Sequence, residues 1–171
     1  MTWNDTFLEL FRRCLKSYEA GNTDFMSYYS DEDLSFLASI GYKPCELFDF
    51  VEDLGDGGVP TESTALLVAA VRRDYFQVVK NNEPGTRELG RGDFPPFEEE
   101  TNGIAYLPRI TAKAMAKLNG ELDPDVMFGC GADRRFLSTH GDINPADFLR
   151  QVWAADGDAG KVSHFVKRAS A

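Results

Sequence analysis

Apolar side chains recur at helical spacing in one segment of the chain after another, and no segment alternates convincingly between apolar and polar residues. Near residues 5–19, one face of a helix would collect Phe7, Leu8, Phe11, Cys14, Leu15 and Tyr18. Such spacing is typical of an amphipathic helix. Helix-starting and helix-stopping residues bound the segments that follow, among them Ser30, Gly41 and Pro44. The sequence therefore predicts an all-α protein without strands, a compact bundle of about seven to nine helices in two packed halves.

The longest apolar segment begins at Pro60 and runs to about residue 79. Residues 66–71 are all apolar, which leaves no polar face and predicts a helix buried in the middle of the fold. The charged or polar residues that interrupt it are Arg72, Arg73, Asp74 and Tyr75. Charges beside a buried stretch must be paired or face a cavity. Two interpretations stay open: an ion-pair network linking the halves, or an arginine facing a ligand pocket with Tyr75 as a hydrogen-bonding wall.

Helical spacing breaks down near residues 80–102, where prolines and glycines accumulate and an acidic triplet follows. The sequence predicts a long irregular loop here. Loops of this length are uncommon inside compact domains and often serve as lids, binding loops or linkers. We therefore divide the chain into an N-terminal helical half (1–80), a loop or linker (81–103) and a C-terminal helical half (104–171), with one shared core.

The formal net charge of −10 at pH 7 argues against two classes of partner. Non-specific nucleic-acid binding and anionic membrane surfaces both require clustered Lys and Arg. The three cysteines are widely spaced and include no CxxC pair, so the sequence predicts no disulfide framework. The N-terminal residues lack a signal-peptide pattern, and no apolar run reaches the ~20 residues of a membrane helix. We expect a cytoplasmic protein, for which a homodimer is compatible with the sequence.

The segment from Gly129 to Phe136 reads Gly-Cys-Gly-Ala-Asp-Arg-Arg-Phe and is the strongest candidate site. If a helix begins just after Cys130, its dipole and free N–H groups favour a thiolate there, or bind a carboxylate or phosphate. Asp133 could act as a base or orient an arginine, while Arg134 and Arg135 could clamp an anion bidentately. The alternative is structural: a buried thiol, a first-turn acid and two surface arginines.

Other candidates lie outside this segment. Arg109, at a predicted helix start, is either a pocket residue or a surface arginine. Lys113 and Lys117 lie four residues apart, which is typical of a solvated face, although Lys113 remains a candidate ligand-binding residue. His140 is a candidate acid–base residue. With two histidines in the chain, we predict no metal ligands, and without a Walker loop, GxGxxG, GxSxG or HExxH motif we predict no cofactor.

Several of these residues together resemble a known family. The matching positions across about 104–168 are Pro108, Arg109, Lys113, Gly120, Cys130, Asp133, Arg135 and Phe136. They resemble the bacterial domain-of-unknown-function family number 5069, and residues 36–41 and 72–76 resemble, more weakly, the N-terminal part of its longer members. The resemblance implies a helical fold and transfers no reaction. Gly131 and Ala132 replace a bulkier pair of the shorter members, which would open space beside Cys130.

The candidate residues favour a small cofactor-independent enzyme of the lyase, isomerase or hydrolase type. It would bind a small anionic metabolite between the halves through Arg109 and Arg135, with Arg72 or Arg73 assisting. Asp133 or Cys130 would move a proton or attack an electrophilic carbon. The loop near residues 80–102 would close over the site as a lid that excludes water. Two alternatives remain: a non-catalytic binding or accessory protein that uses its acidic surface and long loop, and a metal-dependent enzyme that uses carboxylates and histidine.

Overall fold

The side chains at helix starts explain much of the secondary structure. Ser30 accepts a hydrogen bond from the backbone N–H of Asp33 at 3.2 Å, and the Asp33 carboxylate accepts one from the Ser30 N–H at 2.8 Å. This reciprocal capping satisfies two backbone donors that a helix start would otherwise leave unpaired. Thr61, Asn144 and Asp158 also cap helices with their side-chain oxygens. The computed structural model describes all 171 residues, and its eight α-helices confirm the predicted all-α fold.

The chain divides into two compact units, Met1–Asn82 and Glu83–Ala171. The first unit contains a 3-10 turn and four helices: α1 (Trp3–Glu19), α2 (Asp31–Ser39), α3 (Pro44–Gly57) and α4 (Glu62–Val78). Helix α1 buries Phe7, Leu10, Phe11 and Cys14 along one stripe. Full burial of each such apolar side chain contributes about 1.5–3 kcal/mol before entropy is counted. The apolar face predicted for this segment therefore lies in the core of the first unit.

Helix α4 corrects the expectation of a helix that is buried all round. Its buried stripe runs through Ala65, Val68, Ala69, Arg72 and Phe76, which is ordinary helical spacing. The Leu67 side chain on the opposite face is 41% exposed. A run of small and branched apolar residues therefore does not force a central position, because single apolar side chains are common on protein surfaces.

The second unit begins within the segment that the sequence predicts as a linker. It contains a 3-10 turn (Arg91–Asp93), two short strands and four helices: β1 (Glu100–Thr101), β2 (Ile104–Ala105), α5 (Leu107–Asn119), α6 (Gly131–Thr139), α7 (Pro145–Ala154) and α8 (Ala159–Ala169). The strands pair antiparallel, with Thr101 opposite Ile104. They depart from the expectation of no strands, since two residues are too few to show an alternating pattern. None of the eight helices combines the length and apolar character needed to cross a membrane.

Residues 83–99, here called the strap, form the irregular connection predicted near 80–102. The Leu89 N–H donates to the Glu121 carbonyl at 2.7 Å, and the Asp123 N–H donates to the Leu89 carbonyl at 3.1 Å. Arg87 adds an ion pair with Glu121 at 2.9 Å. The strap is therefore fastened to the turn after α5 by backbone bonds, although it contains little regular structure of its own.

The core of the second unit places α5 beside the start of α6. The buried face of α5 carries Leu107, Ile110, Ala114 and Leu118, and α7 contributes Phe148, Leu149 and Val152. The Phe136 ring on α6 meets the Phe148 ring edge-on at 6.4 Å between centroids. Such aromatic pairs add about 0.5–1.5 kcal/mol beyond the area they bury. This packing fixes the positions of the polar side chains described next.

Candidate functional site

A cluster of four polar side chains lies where α5 faces the start of α6. The Lys113 ammonium donates to Asp133 Oδ2 at 2.6 Å and to Cys130 Sγ at 3.3 Å. The Tyr106 hydroxyl donates to Asp133 Oδ1 at 2.7 Å, and the Gly129 N–H donates to Asp133 Oδ2 at 2.8 Å. We call Tyr106, Lys113, Cys130 and Asp133 the polar cluster. The structure thus joins three of the predicted site residues and adds Tyr106, which the sequence interpretation missed.

The Asp133 carboxylate is completely buried, and both of its oxygens accept hydrogen bonds. Burying an ion costs several kcal/mol, which a close counter-charge and good hydrogen bonds can offset. Asp133 therefore holds the Lys113 ammonium in place and does not itself face a ligand. The expectation of a solvated face for Lys113 and Lys117 is wrong, because these residues are only 4% and 2% exposed.

A pocket of about 290 Å³ opens beside the polar cluster. Its charged lining residues are Arg91, Arg109, Lys113 and Asp125, and the rest of the wall is formed by Phe97, Tyr106, Val126, Met127, Cys130 and Ala132. Asp133 balances the charge of Lys113, so Arg91 and Arg109 against Asp125 leave this pocket locally positive in a chain whose formal net charge is −10. The volume lies near the lower end of the range of small-molecule sites. The Lys113 ammonium and the Cys130 thiol meet at its wall.

Arg109 lines this pocket, and its guanidinium also donates hydrogen bonds to carbonyl groups of the strap. Its Nη1 donates to the Pro95 carbonyl at 2.7 Å and, more weakly, to the Phe94 carbonyl at 3.4 Å. The guanidinium also lies over the Phe97 ring, with 4.6 Å between Cζ and the ring centroid. Arg109 is therefore a latch that fastens the strap at the edge of the pocket, in addition to contributing positive charge.

We expect Arg109→Lys to loosen the strap without unfolding the unit. A lysine ammonium is a point charge and cannot bond two carbonyls while stacking on an aromatic ring. Loss of one charge-assisted hydrogen bond should raise local opening about tenfold. Limited proteolysis with chymotrypsin, followed by mass spectrometry, measures cleavage after the exposed Phe97. Arg150→Lys on the exposed face of α7 is the matched control, and equal cleavage rates in the two variants would contradict the latch.

The two glycines that flank Cys130 have different roles. Gly129 has a φ of +91°, in the left-handed region that side chains rarely adopt. Its conformation directs its N–H toward Asp133. Gly131 is the first residue of α6, and a Cβ added there would meet no atom within 4 Å. Only the first glycine is therefore required by the turn.

The different conformations of Gly129 and Gly131 predict opposite stability changes when each is replaced by alanine. Gly131→Ala should raise the free energy of unfolding by about 0.4–1 kcal/mol, because alanine lowers the entropy of the unfolded chain. Gly129→Ala should lower it by more than about 1 kcal/mol, because alanine resists a positive φ. Urea denaturation followed by circular dichroism measures both. A stabilised Gly129→Ala variant would rule out the turn as described.

Tyr106 occupies a position that the sequence did not reveal. It is the residue before α5, its φ of +70° is left-handed, and its side chain is nearly buried. A bulky residue in this conformation is uncommon and requires support from its surroundings. Burial, the neighbouring Asp133 charge and the hydrogen bond to that carboxylate all raise the pKa of the Tyr106 hydroxyl. Tyr106 therefore stays protonated and acts as a donor to Asp133.

Tyr106→Phe should lower the free energy of unfolding by about 1–3 kcal/mol near neutral pH, because a buried carboxylate oxygen loses its donor. The raised pKa of the Tyr106 hydroxyl also determines how its contribution to the free energy of unfolding depends on pH. The stabilisation by this hydroxyl is complete below about pH 10 and is lost as the pH rises further, since the unfolded phenol then ionises while the native one does not. Urea denaturation from pH 7 to pH 11 should show a shallower alkaline loss for the variant. An identical slope would contradict this role.

The remaining C-terminal candidates lie away from the pocket wall. The Arg134 Nη1 donates to the Gly129 carbonyl at 2.7 Å and so braces the turn before α6. Arg135 is exposed on α6 and is not a lining residue. His140 Nδ1 lies 2.7 Å from the Phe136 carbonyl, and its ring packs against the Phe136 ring. Neither Arg135 nor His140 joins the polar cluster.

The N-terminal candidates belong to the first unit. Arg72 is 1% exposed on α4, and its guanidinium lies 5.4 Å from the Phe76 ring centroid. Arg73 pairs with Asp74 at 3.3 Å and lies over the Trp3 ring, while Tyr75 is buried. The structure contains no group of three or more His, Cys, Asp or Glu side chains placed to hold a metal ion.

Comparison of the chain with protein-family models, with curated proteins and with solved structures gives no match. The geometry of the site is therefore the basis for inferring a function.

Proposed function

We propose that this protein is a small enzyme of the lyase, isomerase or hydrolase type that acts on a small anionic metabolite in the pocket beside Cys130, and that it needs no cofactor. The observation that carries the proposal is the contact between the Lys113 ammonium and Cys130 Sγ at 3.3 Å, on the wall of a positively charged pocket. An ammonium in this position places positive charge and a transferable proton beside a nucleophilic sulfur.

The polar cluster supplies distinct roles for its members. Cys130 is the group that attacks an electrophilic carbon or transfers a proton to or from the bound metabolite. Lys113 supplies positive charge to the sulfur and the substrate. Asp133 and Tyr106 are positioning residues: Asp133 is completely buried, and the hydroxyl of Tyr106, whose side chain also lines the pocket, donates to Asp133.

Positive charge around the pocket supports an anionic substrate. Arg91 and Arg109 add to Lys113, and Asp125 is the one acidic lining residue. In addition, the first backbone N–H groups of α6 have no side-chain cap, since Cys130 occupies the N-cap position without such a bond. Free N–H groups at a helix start favour carboxylate and phosphate groups. The apolar wall, including Val126 and Met127, would contact the body of the metabolite.

A thermal-shift screen with paired ligands tests the proposal. Small carboxylates and phosphate esters are each measured beside their neutral amides or alcohols, because a ligand of the native state raises its apparent stability. We expect at least one anion to raise the melting temperature and to slow alkylation of Cys130 by iodoacetamide. Cys45, on α3 of the first unit, should be unaffected and serves as the internal control.

Two outcomes would overturn the proposal. If no anion changes the melting temperature or protects Cys130, the pocket is not an anion site. A non-catalytic binding or accessory protein is then the favoured alternative. If neutral amides protect as well as the anions, charge does not select the ligand. The resemblance of residues 104–168 to family number 5069, a cytoplasmic bacterial setting and a homodimer remain predictions that accompany this proposal.

A further inference from the structure

The contact between Lys113 and Cys130 has a second chemical consequence. We propose that these two side chains form a thiol-reversible covalent cross-link when the protein meets hydrogen peroxide. The proposal concerns a modification site and does not depend on any reaction of the pocket with a metabolite. It rests on the 3.3 Å separation of Nζ and Sγ and on the access that the pocket gives to the sulfur.

The geometry holds the nitrogen beside the sulfur before any oxidation occurs. Lys113 lies on α5, and Cys130, 17 residues later in the chain, is the N-cap residue of α6. The buried Asp133 carboxylate fixes the ammonium at 2.6 Å, so the lysine side chain cannot swing into solvent without breaking that ion pair. Bond formation therefore requires a movement of about 1–2 Å, and the effective concentration of one group beside the other is high.

Access distinguishes Cys130 from the buried cysteine of the first unit. Cys130 is partly exposed and lines the pocket. Cys14 is completely buried, and burial raises the pKa of its thiol to about 11. Peroxide oxidises thiolates that it can reach. We therefore expect peroxide to oxidise Cys130 before Cys14.

The reaction has two balanced steps. First, the Cys130 thiol and one hydrogen peroxide give a sulfenic acid and water, as a sulfur–oxygen bond forms and the peroxide O–O bond breaks. Next, the Lys113 ammonium passes one proton to Asp133, and the amine attacks the sulfenic sulfur. The sulfur–nitrogen bond forms as the sulfur–oxygen bond breaks, and the hydroxyl leaves with a second amine proton as water.

This second step converts the ammonium and the carboxylate into neutral groups. A sulfenamide nitrogen and a protonated Asp133 replace the buried ion pair, so the product leaves no uncompensated charge in the interior. Unpaired buried charge would otherwise oppose the reaction strongly. Asp133 thus serves as the proton acceptor that the step needs. Excess dithiol reverses the link by attacking the sulfur and releasing the amine.

Peptide mass spectrometry tests the proposal on the full-length native protein. After brief peroxide treatment, removal of peroxide and blocking of free thiols, trypsin should fail to cut at Lys113. Residues 110–117 should then appear joined to residues 118–134, with two hydrogen atoms fewer than the sum of the two free peptides. We expect the joined pair to be the main product at Cys130 and to disappear after treatment with dithiothreitol.

Four controls make the result decisive. Cys130→Ser and Lys113→Arg should each abolish the joined pair, and wild-type protein oxidised in urea should not form it. The buried Lys117 on the same helix is the matched lysine and should remain unlinked. The proposal is overturned if native Cys130 is oxidised to sulfinic acid or a disulfide without joining Lys113, or if Lys117 or the unfolded chain gives the same link.

Discussion

Replacing Asp133 with asparagine should lower the free energy of unfolding by about 3–5 kcal/mol, the largest stability change we expect from a single substitution in this chain. The amide would leave the Lys113 ammonium buried without a counter-charge. That cost exceeds the loss of an ordinary hydrogen bond, which is about 1 kcal/mol. Lys113→Met should be similarly costly, because it leaves the Asp133 carboxylate buried and without its counter-ion.

Urea denaturation measures this effect, and Trp153 on α7 reports on the second unit in a Trp3→Phe background. The double variant Lys113→Met and Asp133→Leu should recover part of the loss, since both buried charges are then absent. Asp147→Asn is the matched control, because the Asp147–Arg150 pair is exposed and should be worth less than about 1 kcal/mol. A cost for Asp133→Asn as small as that of Asp147→Asn would refute the buried ion pair.

Much of the fold could be predicted from local sequence because the signals are local. The amphipathic stripe of α1, the capping residues Ser30 and Asn144 and the helix-starting Pro44 each act within a few residues of themselves. The irregular strap was predictable for the same reason, since its prolines and glycines disfavour a helix. The two-residue strands were not predictable, because their pairing depends on the turn between them and not on a pattern.

The site was predictable only in part. The glycine-flanked Cys130 and the neighbouring Asp133 were predictable as site residues, because a potential nucleophile and charged groups follow one another within a few residues. The burial of Lys113 was hidden, because a lysine four residues before another lysine has the pattern of an exposed helix face. The Asp133 carboxylate, which the tertiary fold brings within 2.6 Å of the Lys113 ammonium, compensates for the burial of that charge. The left-handed conformation of Tyr106 is likewise fixed by tertiary contacts and has no local signature.

The positive pocket predicts a second large effect, a preference of Cys130 for negatively charged reagents. Iodoacetate and iodoacetamide are of similar size and differ in charge. A carboxylate within several ångströms of Arg91 and Lys113 gains about 1–1.4 kcal/mol if the effective dielectric constant is high, which corresponds to about five- to tenfold in rate. The preference should weaken as salt increases, because exposed charges such as Arg91 are screened.

The ratio of the iodoacetate rate to the iodoacetamide rate, measured at each cysteine by peptide mass spectrometry, tests the central claim most directly. Arg91 and Arg135 are both exposed, but only Arg91 lines the pocket. We expect the ratio at Cys130 to exceed that at Cys45 about five- to tenfold, to fall in Arg91→Ala and to persist in Arg135→Ala. Equal ratios at Cys130 and Cys45 in the wild type would contradict an anion-binding pocket beside a reactive cysteine.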